Sequence, residues 1–312
     1  MHTVVLDGFV INPGDLSWKP LEELVSLKVY ERTPEELIVE RAREARIILT
    51  TKAPLSSETI KQLPLLRHIG VLATGYNIID MEAAAARGVV VTNIPNYGTA
   101  SVAQGAFALL LALCHKITLH SEAARSGEWS ANPDWSFTKA PMSELAGKTL
   151  GILGFGRIGQ QVARIAEAFQ MRVIAASNPR SGGPWVQVDE LFSVADVVSL
   201  HCPLTPATSG IVNAERLRRM KRTALLINTS RGPLVEEQEL ADALNEGLIA
   251  GAGLDVLSTE PPPEDNPLLH AKNCIVTPHV AWATQEARAR LLQIAVANVA
   301  AFLQGKPQNV IT

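Results

Sequence analysis

Cysteine is scarce in this chain, which has only Cys114, Cys202 and Cys274 among its 312 residues. Their odd number and wide spacing argue against a disulfide framework. The sequence also has no Cys-x-x-Cys pair and no Cys/His cluster, which argues against a zinc site. We therefore expect no metal centre and a reducing compartment, the cytoplasm.

An excess of one charge is also missing, since the net charge is −3 and no block of like charges or basic stripe is present. Nucleic acid and anionic membrane surfaces attract clustered Lys and Arg, so neither is an expected partner. The most apolar run, residues 106–114, is too short to cross a bilayer. The amino terminus, MHTVVLDGFV, lacks the cationic start and long apolar stretch of a signal peptide.

Apolar residues make up 47% of the sequence, which is enough to form the cores of two domains of ordinary size. Segments rich in Val and Ile alternate with helix-like segments, a pattern that indicates parallel sheets covered by helices on both faces. The first series has predicted strands at 4–6, 46–50, 68–73 and 89–92 and helices at 35–44, 57–63 and 81–87. The second series has predicted strands at 149–153, 172–176, 197–200, 224–228, 252–255 and 274–277.

A glycine-rich turn joins an apolar strand to an Ala-rich helix in the sequence GILGFGRIGQQVARIAEAF. Gly154 permits the tight turn, Gly156 lets the backbone approach a pyrophosphate, and Gly159 lets the helix pack on the strand. Arg157 and Ile158 belong to the same turn, where the helix N-terminus offers free N–H groups to phosphates. A purely structural turn is the alternative, but the complete strand–turn–helix context favours a dinucleotide.

The next strand ends without the acid that usually binds the ribose hydroxyls of the adenosine. Ser177 stands at the expected position, followed by Asn178 and Arg180. A carboxylate there would repel a 2′-phosphate, whereas a hydroxyl, an amide and a guanidinium can bind one. The sequence therefore favours NADP(H), with NAD(H) as the alternative if Arg180 is only a solvated turn residue.

Two long predicted helices, 99–126 and 284–303, lie where the two series join and where the second series ends. Because the last helix follows the dinucleotide unit, the chain can return to the first unit. We predict an α/β protein of two doubly wound parallel-sheet domains. A Rossmann dinucleotide-binding domain, residues 99–283, is inserted into a smaller, flavodoxin-like substrate domain, residues 1–98 and 284–312.

Three candidate catalytic residues follow strands of the second series, where ligands bind in open α/β sheets. Arg231 has a planar guanidinium that can hold a carboxylate in a bidentate manner. His279 ionises near neutrality, and a carboxylate such as Glu260 would favour its protonated form. Taken singly, a surface ion-pair residue, a core histidine and a loop carboxylate are the alternatives. Jointly, behind a phosphate-binding turn, the three residues predict reduction of a 2-keto acid.

The motifs INTSRGPLV around Arg231, LDVLSTEPP around Glu260 and TPHVAW around His279 resemble those of the D-isomer-specific 2-hydroxyacid dehydrogenases. The resemblance extends over essentially the whole chain, and LDGFVINPGDLSW and LATGYNIID resemble the glycerate dehydrogenase (hydroxypyruvate reductase) branch. It implies hydride transfer between NAD(P)H and a small 2-keto or 2-hydroxy acid, foremost hydroxypyruvate or glyoxylate. It also implies that Arg231 binds substrate, that His279 is the acid–base catalyst and that Glu260 orients His279.

The resemblance implies further contacts with cofactor and substrate. Asp255 would face the carboxamide of the nicotinamide, and Trp135 would close the substrate pocket of a partner in a homodimer formed through the dinucleotide-binding domain. The alternative for Trp135 is a core plug under its loop. The other implied cofactor-lining residues are His201, Cys202, Pro203, Thr229 and Ser230. The backbone N–H groups implied for the substrate carboxylate are those of Leu72, Ala73, Thr74 and Gly75, for which a glycine turn is the alternative.

Other functions share these motifs. A phosphoglycerate-type dehydrogenase is one alternative, although such enzymes often carry a further regulatory domain and this chain ends soon after its last predicted helix. Formate dehydrogenases usually have an amide where Glu260 stands, which argues against that activity. A non-catalytic dinucleotide sensor, similar to corepressors of related fold, is the alternative from another class, and turnover of a keto acid distinguishes it from an enzyme.

Overall fold

A computed structural model describes residues 1–176 and 185–311 of the chain. Its contacts divide the chain into two compact units. The first unit combines Met1–Gly98 with Ala283–Thr312, and the second is Thr99–Trp282. The first unit is therefore discontinuous in sequence, and the second is inserted in it along the chain.

The first unit contains a parallel sheet whose strands follow the order β2-β1-β3-β4-β5. This order is that of the flavodoxin-like doubly wound fold, which confirms the predicted fold class. One edge strand was not predicted, because its sequence, SLKV, alternates instead of forming a continuous apolar run. The strands are β1 (His2–Val5), β2 (Ser26–Val29), β3 (Ile47–Thr50), β4 (His68–Val71) and β5 (Val90–Thr92).

Short helices cover this sheet. A long helix, which follows the second unit in the chain, also belongs to the first unit. Three of them begin at a side-chain cap, because Ser56, Asp80 and Thr284 each accept the N–H of the residue three positions on. The helices are α1 (Lys19–Glu22), α2 (Ile38–Ala42) after a 3-10 turn, α3 (Ser57–Lys61), α4 (Met81–Ala86) and α11 (Gln285–Leu303).

The second unit contains a six-stranded parallel sheet in the order β11-β10-β9-β8-β6-β7. Trp185 adds an isolated parallel bridge to Ala175 on the outer side of β7, in the place of the third strand of a Rossmann sheet. Most strand residues are buried, as their apolar sequences predict. The strands are β6 (Thr149–Leu153), β7 (Arg172–Ala176), β8 (Val197–Leu200), β9 (Leu225–Asn228), β10 (Gly251–Leu254) and β11 (Cys274–Val276).

The single helix predicted over residues 99–126 is wrong, because the chain forms two helices that meet at an angle of 57°. Lys116 lies between them in the left-handed region, with φ 51°. Neither Gly nor Pro marks this point, so packing decides the break. The first helix packs on β9, β10 and the helix Arg157–Ala168, whereas the second is mostly exposed. The helices of this unit are α5 (Thr99–His115), α6 (Ile117–Arg125), α7 (Arg157–Ala168), α8 (Val188–Val194), α9 (Ala214–Arg219) and α10 (Glu237–Asn245).

Among the described residues, no single helix is both long and apolar enough to cross a membrane. The bent pair α5 and α6 meets the length and hydropathy criteria only when the two helices are counted together.

Candidate active site

The loops that follow the strands of the second unit meet along the carboxyl edge of its sheet. Gly154 follows β6 with φ +97°, and a methyl group there would overlap the backbone of His201 and Cys202 after β8. Ser230, after β9, donates its hydroxyl to the Cys202 carbonyl at 2.7 Å. Contacts in series thus bring together residues that the sequence predicts to line a cofactor.

The glycine turn has the geometry that a pyrophosphate site requires. Gly156 precedes the first turn of α7, and a methyl group built on it would meet no atom of the described residues within 4 Å. At Gly159, by contrast, a methyl group would overlap the Gly154 carbonyl, so this glycine serves packing. Arg157 is exposed and Ile158 is half-buried at the start of the same helix. Open space beside Gly156 and the free N–H groups of a helix start fit a dinucleotide phosphate.

Further along the edge, a polar group lacks an internal partner. The Thr229 hydroxyl is buried and has no hydrogen-bond partner within the described ranges, so a ligand that brings a polar atom would satisfy it. His201 Nε2 lies 2.8 Å from the Ser199 hydroxyl, and burial lowers the pKa of His201 to about 4, so its ring is neutral at pH 7. Burial also raises the pKa of the Cys202 thiol to about 11, which removes it as a nucleophile, and Pro203 after it is exposed.

The residues predicted to distinguish NADP(H) from NAD(H) are Ser177, Asn178 and Arg180. They lie outside the residues that the structure describes.

Glu260 and His279 are in direct contact. Glu260 Oε2 lies 2.7 Å from His279 Nδ1, although the two residues are 19 positions apart. Both side chains are about one-third exposed. Because a carboxylate can only accept hydrogen bonds, Nδ1 carries the proton of this pair, and Nε2 is the ring nitrogen that Glu260 does not bind. Glu260 Oε1 also accepts the Leu257 N–H, at 3.3 Å.

The backbone at His279 is strained and tightly held. Its φ of 54° places a non-glycine residue in the left-handed region, at a cost of order 1–3 kcal/mol. Its N–H is 2.8 Å from the Asp255 carbonyl, and the Asp255 carboxylate accepts the N–H groups of Val280 and Ala281 and the hydroxyl of Thr277. Asp255 thus shapes the turn that carries His279, and its predicted contact with the nicotinamide stays a prediction.

Arg231 lies on the loop after β9 and is exposed. Its guanidinium bonds the Ser230 carbonyl at 2.7 Å and has no carboxylate partner in the described part of the chain, which argues against a surface ion pair. Asn228 and Gly232, which were not predicted from the sequence as site residues, fix this loop. The Asn228 side chain accepts the Ser230 N–H at 3.0 Å and donates to the Arg231 carbonyl at 2.9 Å. An Asn two residues before a loop N–H is an Asx-turn signal that was readable in the sequence.

Gly232 connects the Arg231 loop to the segment that carries Glu260. A methyl group at Gly232 would overlap the backbone of Leu257 and Ser258. The guanidinium-bearing loop and the carboxylate-bearing segment therefore pack backbone to backbone.

In the first unit, the predicted carboxylate-binding segment follows β4. The Leu72 N–H donates to the Thr50 carbonyl at 2.7 Å and is not available to a ligand. The N–H groups of Ala73, Thr74 and Gly75 have no hydrogen-bond partner among the residues described. Three successive free N–H groups are typical of an anion-binding nest.

The loop of Thr74 is anchored by its other polar groups. The Thr74 hydroxyl donates to the Ile94 carbonyl at 2.9 Å, and the Asn93 side chain donates to the Thr74 carbonyl at 2.8 Å. The free N–H groups therefore belong to a fixed segment, as a binding site requires.

Trp135 is 89% exposed, so the interpretation of it as a core plug is wrong. Its carbonyl accepts the Trp129 indole N–H at 3.0 Å, which holds the loop tip in place. The ring itself is presented to solvent.

Comparison with known proteins identifies the family of the chain. The family model for the NAD-binding domain of D-isomer-specific 2-hydroxyacid dehydrogenases matches residues 107–281. The chain belongs to this family. It is 51% identical over 320 residues to a hydroxypyruvate reductase of Blautia hydrogenotrophica, an alignment that covers 100% of this chain and 99% of the relative. It is 45% identical over 289 residues to a glycerate dehydrogenase of Methylorubrum extorquens, which covers 91% of each.

A solved structure with the same fold is that of an acyclic imino acid reductase in complex with NADPH and D-Arg, with a TM-score of 0.87 and 33% identity over 100% of both chains. These findings confirm the predicted family and its glycerate dehydrogenase branch. The chain is an oxidoreductase that acts on a CH–OH group with a nicotinamide dinucleotide.

Proposed function

We propose that the chain reduces hydroxypyruvate or glyoxylate to D-glycerate or glycolate. The observation that carries this proposal is the 2.7 Å contact between His279 and Glu260, which follow strands of the same sheet as the glycine turn. The names of the two relatives, a hydroxypyruvate reductase and a glycerate dehydrogenase, support hydroxypyruvate among 2-keto acids.

Different side chains have different roles in the proposed reaction. The nicotinamide, when bound, supplies the hydride for the keto carbon. His279 Nε2 donates its proton to the keto oxygen, and the Glu260 carboxylate at Nδ1 orients the ring. Arg231 binds the substrate carboxylate in a bidentate manner.

The test is turnover of hydroxypyruvate, glyoxylate, pyruvate and phenylpyruvate with NADPH and NADH, followed by absorbance. We expect hydroxypyruvate or glyoxylate to have the highest kcat/KM, and H279A to lose about 10²–10⁴-fold in kcat. The control is H115A, which changes an exposed histidine at the end of α5 in the same unit. Normal turnover in H279A would refute the assignment of the acid–base residue.

NADP(H) is the proposed cofactor. Its support is the absence of an acid at Ser177 and the presence of Arg180 in the sequence, together with the NADPH of the imino acid reductase structure. We expect the wild type to prefer NADPH and S177D to prefer NADH, because a carboxylate there repels the 2′-phosphate. Equal kcat/KM values for both cofactors in the wild type would contradict this preference.

A homodimer through the second unit is the proposed assembly, in the cytoplasm. Its support is a set of exposed apolar side chains on α6 and the loop after it, among them Ile117 at 57% and Trp135 at 89%. Light scattering should give twice the chain mass, and I117E should give a monomer, whereas V10E, on a similarly exposed residue of the first unit, should not. If W135A left KM, kcat and dimerisation unchanged, its role at a partner's pocket would be abandoned.

A further inference from the structure

The backbone that carries Glu260 has a second anchor outside the residues that the family motifs identify. Glu260 lies in an irregular segment, residues 257–266, between β10 and a 3-10 turn at Pro267–Leu269. Within the segment, the Glu260 carboxylate accepts the Leu257 N–H at 3.3 Å, which is a long hydrogen bond. Further hydrogen bonds to the segment come from α10.

Glu237, near the start of α10, accepts these hydrogen bonds at both ends of the segment. Its Oε1 accepts the Ser258 N–H at 2.6 Å, and its Oε2 accepts the Asn266 side-chain N–H at 2.7 Å. These are short, charge-assisted hydrogen bonds, which are about twice as strong as neutral ones. The Glu237 carboxylate therefore links Ser258, which precedes Glu260 in the chain, to Asn266, which follows it.

Asn266 is fixed on its other side as well. It is 5% exposed, and its Oδ1 accepts the Leu268 N–H at 3.0 Å, which caps the 3-10 turn. Its amide orientation is therefore determined, with the oxygen toward the turn and the nitrogen toward Glu237. The anchor is rigid from α10 through Asn266 to the turn.

We propose that Glu237 is a positioning residue for catalysis, which acts through Ser258 and Asn266 to hold the Glu260 carboxylate against His279. This inference rests on the proposed function, in which the pair of Glu260 and His279 moves the proton. Glu237 itself touches neither reacting group. Its effect on rate comes from geometry, because a displacement of about 1 Å in a catalytic group can lower the rate by about 10²-fold.

The experiment exchanges the chemical groups of the two partners. In E237Q, the amide nitrogen of the new Gln faces the amide nitrogen of Asn266, so neither can accept a hydrogen bond. In N266D, two carboxylates face each other, so neither can donate one. Each single variant therefore loses the hydrogen bond between positions 237 and 266. The double variant E237Q/N266D restores it, because the new amide donates to the new carboxylate while the Ser258 and Leu268 N–H groups keep their acceptors. We expect each single variant to lose about tenfold or more in kcat with hydroxypyruvate and NADPH, with a smaller change in KM. The double variant should return to within about twofold of the wild type.

The matched control is E239Q on the same helix. The Glu239 carboxylate accepts the Ala214 N–H and, among the described residues, has no hydrogen bond to the segment that carries Glu260. E239Q should stay within about twofold of the wild type in kcat. Because Glu237 acts through Glu260, adding E237Q to E260Q should change kcat by less than about twofold. A further tenfold loss in the E260Q background, or no recovery in the folded double variant, would overturn the inference.

Hydrogen exchange separates this inference from the proposed function. Peptides over residues 257–266 should exchange faster in E237Q than in the wild type and in E239Q, whatever the substrate. If the wild type turns over none of the keto acids, the proposed function fails. If the wild type is active and E237Q matches it in both kcat and exchange, the positioning role fails.

Discussion

His68 is buried in the core of the first unit. Its side chain has no exposed surface, its Nε2 lies 2.9 Å from the Thr92 hydroxyl, and its ring stacks on Phe302 with centroids 4.6 Å apart. Its Nδ1 has no hydrogen-bond partner among the described residues. Burial disfavours the charged ring and lowers the pKa of His68 from 6.5 to about 4.

This depressed pKa makes the stability of the first unit dependent on pH. The unfolded chain binds a proton at this histidine below pH 6.5, whereas the folded unit does not until about pH 4. Stability is therefore complete above pH 6.5 and decreases as the pH falls toward 4. The shift of about 2.5 units corresponds to about 3.4 kcal/mol in total, of which about 2 kcal/mol is lost between pH 7 and pH 5.

The perturbation is H68Q, which keeps a hydrogen-bonding group for Thr92 and removes the titration. Amide hydrogen exchange on peptides of β4 and β5, corrected for intrinsic rates, gives the opening free energy of this unit alone. Between pH 7 and pH 5, H68Q should lose about 2 kcal/mol less than the wild type. H2Q, on strand β1 of the same sheet, is the control and should behave as the wild type. Equal losses in H68Q and the wild type would refute the reasoning.

Three further outcomes follow from the candidate site. G156A should fold normally but raise the Kd of the dinucleotide at least tenfold in calorimetric titration, because its methyl group enters the open space where the phosphates bind. G159A should instead lower Tm in thermal unfolding, because its methyl group overlaps the backbone. R231K should raise KM for the keto acid about tenfold or more while the Kd of the cofactor stays constant, because an ammonium cannot hold a carboxylate in a bidentate manner. N228A should lower stability by about 1–3 kcal/mol and raise the same KM, because it releases both bonds that fix the Arg231 loop; an unchanged KM would show that Asn228 does not position Arg231.

The sequence predicted most strands to within one or two residues. Strands buried on both faces are continuous apolar runs, and β6 and β7 have the predicted bounds. The glycine turn was also predictable, because each glycine is required locally, either by the backbone conformation or by the space around it. Boundaries failed where packing outweighed local preference, as at Lys116, where no Gly or Pro marks the break.

Local pattern alone determined the two series of parallel strands, the phosphate-binding turn and the residue types available for acid–base chemistry. The tertiary structure decided which of those residues meet. Strand order brings Glu260 to His279 across 19 positions, and helix packing brings Glu237 to Ser258 and Asn266 across 21 and 29. Such contacts depend on where loops that are far apart in sequence lie along the edge of a sheet. The periodicity of a sequence does not specify the distance between those loops.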